Sequence, residues 1–253
     1  MTTRFDEKIV LITGGAGAIA GATAQAFADR GATVVLAGRN AEQLKRAAAE
    51  IRTDGGKVDW VQADVTDTYQ VEAMVDEVVR RHGALHVAFN NAGILGTPAP
   101  VGELEDIDWH RVIDVNLTGV FLSMKHQIAH MRGNGGGVIV NMASNIGAHG
   151  RRPGLAAYAA SKAAVSALTQ TAARDHIGDG IRINAVSPGA TDTPMSFRPG
   201  ETRADRDARV ATAIPVGRVG DPAEIAAAVV WLASPESSFV IGHDLVIDGG
   251  ATA

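Results

Sequence analysis

Short runs of aliphatic and β-branched residues alternate with longer Ala-rich stretches along the whole chain. The runs Lys8–Thr13, Thr33–Ala37, Val58–Ala63, Leu85–Phe89, Gly137–Met142, Ile181–Val186 and His243–Ile247 are nearly continuous apolar segments without in-and-out alternation. That pattern predicts parallel strands covered on both faces. Helical stretches are expected near residues 18–30, 41–53, 67–82, 108–131, 158–176 and 221–233. In the third, Val71, Met74, Val75, Val78 and Val79 recur at helical spacing, with charge on the other side. Asp67 and Asp221 stand at N-cap positions, and Pro222 suits a first turn. Strand–helix alternation of this kind implies right-handed crossovers and an α/β fold. The expectation is one doubly wound, seven-stranded parallel sheet flanked by helices on both faces, a single domain over residues 1–253. The Gly-rich 133–137 reads as a turn. Residues 190–216, rich in Pro, Arg and Asp, read as a lid over substrate, with ETRADRDAR (201–209) a solvated helix face.

Composition narrows the chemistry. The 253 residues carry no cysteine, which excludes thiol catalysis, disulfide scaffolds and Cys-ligated metals. A net charge of −5 argues against a nucleic-acid-binding face. No apolar stretch approaches the roughly 20 residues of a membrane span, and no signal-like segment precedes the first strand. A soluble, cytoplasmic protein is expected, without nucleic-acid or membrane partners. Aromatics are only 4%, and the two tyrosines, Tyr69 and Tyr158, are the only phenols available to catalysis.

Ligands of such folds bind beyond the carboxyl ends of the strands, and the informative residues follow the strands. The first strand runs into Thr13-Gly14-Gly15-Ala16-Gly17-Ala18-Ile19-Ala20, where Gly15, Gly17 and Ala20 satisfy G-x-G-x-x-G/A ahead of a helix. Glycine permits a tight turn and close approach to a diphosphate at a helix N-terminus. The second strand ends Gly38-Arg39-Asn40, without the acidic residue that accepts from a ribose 2′-OH. Arg39 suits a 2′-phosphate, which favours NADP, with NAD the alternative. Tyr158 and Lys162 lie four apart, on one face of a helix, where an ammonium favours the phenolate. Ser144 follows the fifth strand, and Asn116 lies in the apolar segment VNLTGVF, where a buried amide must find partners.

These residues together resemble the short-chain dehydrogenase/reductase family, over essentially the full length of the chain. Thr13–Ala20 is similar to its cofactor loop, usually T-G-x-x-x-G-x-G, with Ala18 and Ala20 in place of the last two glycines. Gly14, Gly15, Gly17, Ala18 and Ile19 would then face the diphosphate. Asp64-Val65 resembles the pair that contacts adenine, and Asn90-Asn91-Ala92-Gly93 the segment after the fourth strand. Pro188, Gly189, Thr191 and Thr193 resemble the segment that holds the nicotinamide carboxamide, with Thr191 replacing a commoner aliphatic residue. Asn116, Ser144, Tyr158 and Lys162 match the four catalytic positions. The resemblance implies hydride transfer between NADP(H), or NAD(H), and a small alcohol or ketone. Tyr158 would exchange the proton, Ser144 would hold the carbonyl oxygen, Lys162 would lower the Tyr158 pKa and hold the nicotinamide ribose, and Asn116 would anchor a relay water. It also implies a homo-oligomer, a tetramer or dimer formed through the 108–131 and 158–176 helices and the last strand.

Two other classes share parts of this pattern: an S-adenosylmethionine-dependent methyltransferase, and a non-catalytic nucleotide-binding or scaffold protein of the same fold. The ordered set from Asn90 to Lys162 argues against both. His126 and His130, four apart, lack a third ligand and read as helix-surface histidines, so no metal is expected. His149, Arg151 and Arg152 lie between Ser144 and Tyr158, at the expected substrate mouth, and suit an acidic or polar substrate or an exposed loop.

Overall fold

The computed structural model describes residues 3–253. Seven strands form one parallel sheet in the order β3-β2-β1-β4-β5-β6-β7. They are β1 (Ile9–Thr13), β2 (Thr33–Gly38), β3 (Lys57–Gln62), β4 (Val87–Asn90), β5 (Gly137–Met142), β6 (Ile181–Pro188) and β7 (Asp244–Ile247). The helices are α1 (Ala18–Ala28), α2 (Ala41–Thr53), α3 (Thr68–His82), α4 (Asp106–Ile113), α5 (Gly119–Gly133), α6 (Ala156–His176), α7 (Arg203–Ala213) and α8 (Pro222–Ala233). Strand order reverses between β1 and β4, and the crevice opens above their carboxyl ends.

The apolar strand runs are explained by two cores, one on each face. Ile9 and Leu11 point into a core completed by α3, α5 and α6 through Val71, Met124 and Val165. Val10 and Ile12 point into the other, completed by α1, α2 and α8 through Phe27, Leu44 and Val229. Successive side chains of a strand face opposite ways, so a doubly covered strand must be apolar at every position.

Three features differ from the sequence reading. The helix expected over 108–131 is two helices, α4 and α5, joined by a π turn at Asp114–Thr118. Asn116 lies inside that turn, fully buried, and its amide both donates to Ile94 O and accepts from Ile94 N–H. The extra residue of the turn lets this amide face inward while the ladder continues on either side. Second, the charged run at 201–209 is solvated along most of its length, with Thr202–Asp205, Asp207 and Ala208 exposed, but Arg206 is drawn inward. Thr202 and Asp205 form a capping box that starts α7. Arg206 is 1% exposed, stacked 4.4 Å from the Phe197 ring and paired with Asp192 at 2.6 Å. Third, β6 runs on through Ser187 and Pro188, which pair with Val246 and Ile247. At 133–137 the chain turns as expected, with Gly135 and Gly136 at positive φ.

Candidate active site

The glycine segment leaves β1 at Gly14, whose φ of +66° is a left-handed conformation. A Cβ there would lie 2.9 Å from Ala92 Cα, and one at Gly15 would lie 2.7 Å from Leu36 Cβ. Glycine is therefore required by close packing against the ends of β4 and β2. Asn91 stitches the same junction: its backbone N–H donates to Thr13 Oγ1 at 3.1 Å and its amide to Thr13 O at 3.1 Å. Helix α1 begins with Gly17 as N-cap and has no side-chain cap. Its first N–H groups and positive dipole end face outward, as a diphosphate requires. Ala18 is exposed at this end, whereas Ala20 is fully buried in the core shared with α8. Neither methyl obstructs the opening.

Beside this loop lies a cavity of about 140 Å³ that gathers Gly14, Arg39, Asp64, Val65, Ala92 and Gly93 from four separate strand ends. Arg39 is 63% exposed on its side chain, 4.0 Å from Asp64. Asp64 Oδ1 accepts from the Thr66 N–H and hydroxyl, which fixes it at the rim. Ile94 and Val115 also line the cavity. Sequence reading missed Val115, because it sits on the π turn, whose inward face no helical period marks. An uncapped helix start, a glycine cradle and a cleft with an exposed guanidinium fit a nicotinamide dinucleotide.

Tyr158 and Lys162 are both buried on the first turns of α6. Lys162 Nζ donates to Met142 O at 2.7 Å and lies 5.9 Å from the Tyr158 ring centre. Burial lowers the Lys162 ammonium to about 8. Burial also pushes the Tyr158 phenol above its usual value, and its hydrogen bond with Ser144 pulls the other way. Desolvation of the phenolate, rather than the ammonium expected to favour it, sets the direction at Tyr158. Ser144 Oγ also accepts from Ile146 N–H at 3.1 Å. Asn116 Nδ2 lies 3.2 Å from Ser161 Oγ, which in turn donates to Tyr158 O at 2.7 Å. A Cβ on Gly93 would sit 3.3 Å from Asn116 Oδ1 and 3.4 Å from Lys162 Nζ, so Asn116, Gly93 and Lys162 are neighbours. Ser161 joins the cluster without having been singled out from sequence; a serine within an Ala-rich helix gives no signal of its own.

Beyond β6, Gly189 backs onto Asp248, where a Cβ would lie 2.6 Å from Asp248 Cβ. Thr191 is buried and donates to Gly189 O at 3.1 Å, and the Thr193 N–H donates to Thr191 O at 2.7 Å. Pro188 O accepts from Asn145 N–H at 3.1 Å, which places this segment beside the residue after Ser144. His126 and His130 are half-buried rather than on the surface, and His126 contacts Thr68 Oγ1 at 3.3 Å. No group of three metal-ligating side chains occurs among the described residues.

The family model described as enoyl-(acyl carrier protein) reductase matches residues 14–252. The chain is 43% identical to cis-4-hydroxycyclohexanecarboxylate dehydrogenase of Sinomonas cyclohexanicum, over 100% of both chains. It is 39% identical to cyclohexanol dehydrogenase of Acinetobacter sp. strain SE19, over 100% of this chain and 98% of that one. The crystal structure of NAD+-bound xylitol dehydrogenase superposes with a TM-score of 0.92 at 36% identity, covering 98% of this chain and 100% of that one. With the doubly wound sheet and the site built at its carboxyl edge, the chain belongs to the short-chain dehydrogenase/reductase family and is an oxidoreductase of CH–OH and C=O groups.

Proposed function

We propose that this protein is an NADP(H)-preferring dehydrogenase of ring-borne secondary alcohols, working through Ser144, Tyr158, Lys162 and Asn116. The observation that carries this reading is the buried Tyr158–Lys162 pair, with the Ser144 hydroxyl close enough to draw the phenol pKa down. The nicotinamide, when bound, accepts or supplies the hydride. Tyr158 Oη takes the hydroxyl proton of the alcohol in oxidation and returns it to the carbonyl oxygen in reduction. Ser144 Oγ donates to that oxygen and stabilises its developing charge. Lys162, buried beside the ring, favours the phenolate in the ionised pair and holds the nicotinamide ribose. The Asn116 amide is committed to Ile94 and Ser161, so the main chain of the π turn is assigned the water that relays protons to Lys162.

Gly14, Gly15, Gly17, Ala18 and Ile19 would hold the diphosphate, Asp64 and Val65 the adenine, and Asn91, Ala92 and Gly93 the adjoining ribose side of the cleft. Pro188, Gly189, Thr191 and Thr193 would hold the carboxamide. NADP is preferred to NAD because Arg39, and no carboxylate, stands at the end of β2. The two relatives named for cyclohexane alcohols support a ring substrate. Arg152 supports a carboxylate on that ring. Arg151 is engaged by the carbonyls of Gly147 and Gly150, and His149 by Asp244. Arg152 joins no ion pair among the described residues; burial lowers its pKa, and Arg198 and Arg209 lower it further. Residues 190–216 act as a lid within one domain, and Ile107, Trp109 and Phe121, exposed on α4 and α5, support assembly as a dimer or tetramer.

The test is turnover of cyclohexanol and cis-4-hydroxycyclohexanecarboxylate with NADP+ and NAD+. Both cofactors should bind, NADP+ should turn over faster, and the carboxylate should have the lower KM. Tyr158→Phe should abolish turnover while NADPH still binds, as read by its fluorescence. Substantial activity in that variant, or none in the native protein with either alcohol, would sink the assignment.

A further inference from the structure

The chain after Ser144 folds into a tight loop before reaching α6. Gly147 N–H donates to Gly150 O at 3.0 Å, and Gly150 N–H to Asn145 O at 2.7 Å. The Arg151 guanidinium closes the loop on the carbonyls of Gly147 and Gly150. One side lies directly on α6, where a Cβ at Gly147 would approach Ala163 N to 2.8 Å and Lys162 C to 3.1 Å. The other side leans on two carboxylates of the C-terminal strand and its extension. Asp248 Oδ2 accepts from Asn145 Nδ2 at 3.2 Å and from Thr252 Oγ1 at 2.8 Å. Asp244 Oδ2 accepts from Ser166 Oγ at 2.6 Å and faces His149 Nε2 at 2.8 Å, while Oδ1 accepts from Ser187 Oγ at 2.6 Å.

The Asp244 side chain is 5% exposed. A carboxylate buried on an edge strand is retained only with full hydrogen bonding. Ser187 from β6 and Ser166 from α6 would suffice to tie β7 into the sheet and its covering helix. His149 is the partner that comes from the loop. Since a carboxylate only accepts, the imidazole presents Nε2–H to it. This bond gives the loop a fixed point three strands away from the cofactor cleft.

We propose that His149 and Asp244 are positioning residues, forming a latch that fixes the loop 145–150 so that the Ser144 hydroxyl stays on the Tyr158 phenol. This rests on the roles assigned above to Ser144 and Tyr158. The latch acts through Ser144 and touches neither substrate nor cofactor.

The protein has two tyrosines, and Tyr69 is exposed, so a Tyr69→Phe background leaves Tyr158 as the only phenol to titrate by near-ultraviolet absorbance. Loss of the Ser144 hydrogen bond should move that titration upward. His149→Ala should reproduce the shift seen with Ser144→Ala, add nothing on the Ser144→Ala background, and be reversed by His149→Gln, whose Nε2 reaches to a similar distance. Where alkali unfolds the protein, amide exchange near neutral pH serves instead: Gly147 and Gly150 should lose protection in His149→Ala and regain it in His149→Gln. In turnover, His149→Ala should lower kcat roughly ten-fold with cofactor Kd unchanged. An unmoved Tyr158 titration with unmoved loop exchange, an additive effect on Ser144→Ala, failure of the glutamine to rescue, or an unchanged kcat would each overturn the latch. If the native protein oxidises neither alcohol, the proposed function falls, whereas the titration and exchange still decide the latch.

Discussion

Lys162 stands inside the protein as an ammonium held on a main-chain carbonyl, and its position carries a stability cost with a definite pH signature. Its pKa falls from 10.5 to about 8 on folding, so both states are charged below about 8 and the cost of burying the charge is then fully present. Between the two values the unfolded chain binds the extra proton, and stability contributed at this site rises with pH. Lys162→Met should therefore raise the melting temperature near neutral pH, by up to about 3 kcal/mol of stability, and the advantage should shrink as pH climbs towards 10.5. Activity should be lost in the same variant. Thermal melts across that range check the sign. Arg39 makes the opposite kind of prediction, because its side chain is 63% exposed and its ion pair with Asp64, at 4.0 Å, lies at the surface. Arg39→Ala should leave the melting temperature unchanged and reduce kcat/KM for NADPH about ten-fold or more, with little change for NADH. Equal losses with both cofactors would contradict the assignment. At this scale the sequence was informative about residue types and spacing: four-residue separation placed Tyr158 and Lys162 on one face. It said nothing of the desolvation that raises the Tyr158 phenol, since burial is set by the tertiary packing around α6.

The π turn at Asp114–Thr118 is the element that brings Asn116 and Val115 to the site. It was illegible because no residue of DVNLT marks a wider turn, and the segments on either side read as one helical run over 108–131. Asn116→Ala would leave Ile94 N–H and C=O without their partners, a cost of about 1–3 kcal/mol. Amide exchange at Ile94 should rise sharply, and kcat should fall more than KM changes. If Ile94 exchange is unaltered, the amide does not hold that segment. The same limit applies to 201–209. Local charge density suggests solvent, but the partner that draws Arg206 inward, Asp192, lies 14 positions earlier in the chain. Strand positions were recovered within about two residues, because parallel strands covered on both faces leave an unbroken apolar record.

At the scale of the whole molecule, large apolar side chains are exposed at several places, two of them with aromatic residues on neighbouring elements. Ile107, Trp109 and Phe121 are exposed along α4 and α5, while Trp231 on α8 and Phe239, fully exposed, lie towards β7. Two distinct patches suit the two kinds of contact in a dimer of dimers. Light scattering should give a dimer or tetramer, and Phe121→Glu should reduce the mass without lowering the intrinsic stability of the monomer; a native monomer would contradict assembly. Alternation of strands and helices foretold the layered sheet but not which strands adjoin, since pairing is a long-range property. The α/β alternation was equally compatible with a methyltransferase; the ordered residues at the strand ends separated them.

The division of the interior into two cores has an evolutionary consequence. Helices α1 and α2, on one face, frame the glycine segment and Arg39, while α6 and the π turn, on the other, carry Tyr158, Lys162 and Asn116, to which the proposed chemistry is assigned. Substitutions that remodel the cofactor half pass through a different set of packed neighbours from those that remodel the reacting half. A lineage can thus trade one nicotinamide cofactor for the other, or one alcohol for another, by separate mutational routes on an unchanged sheet.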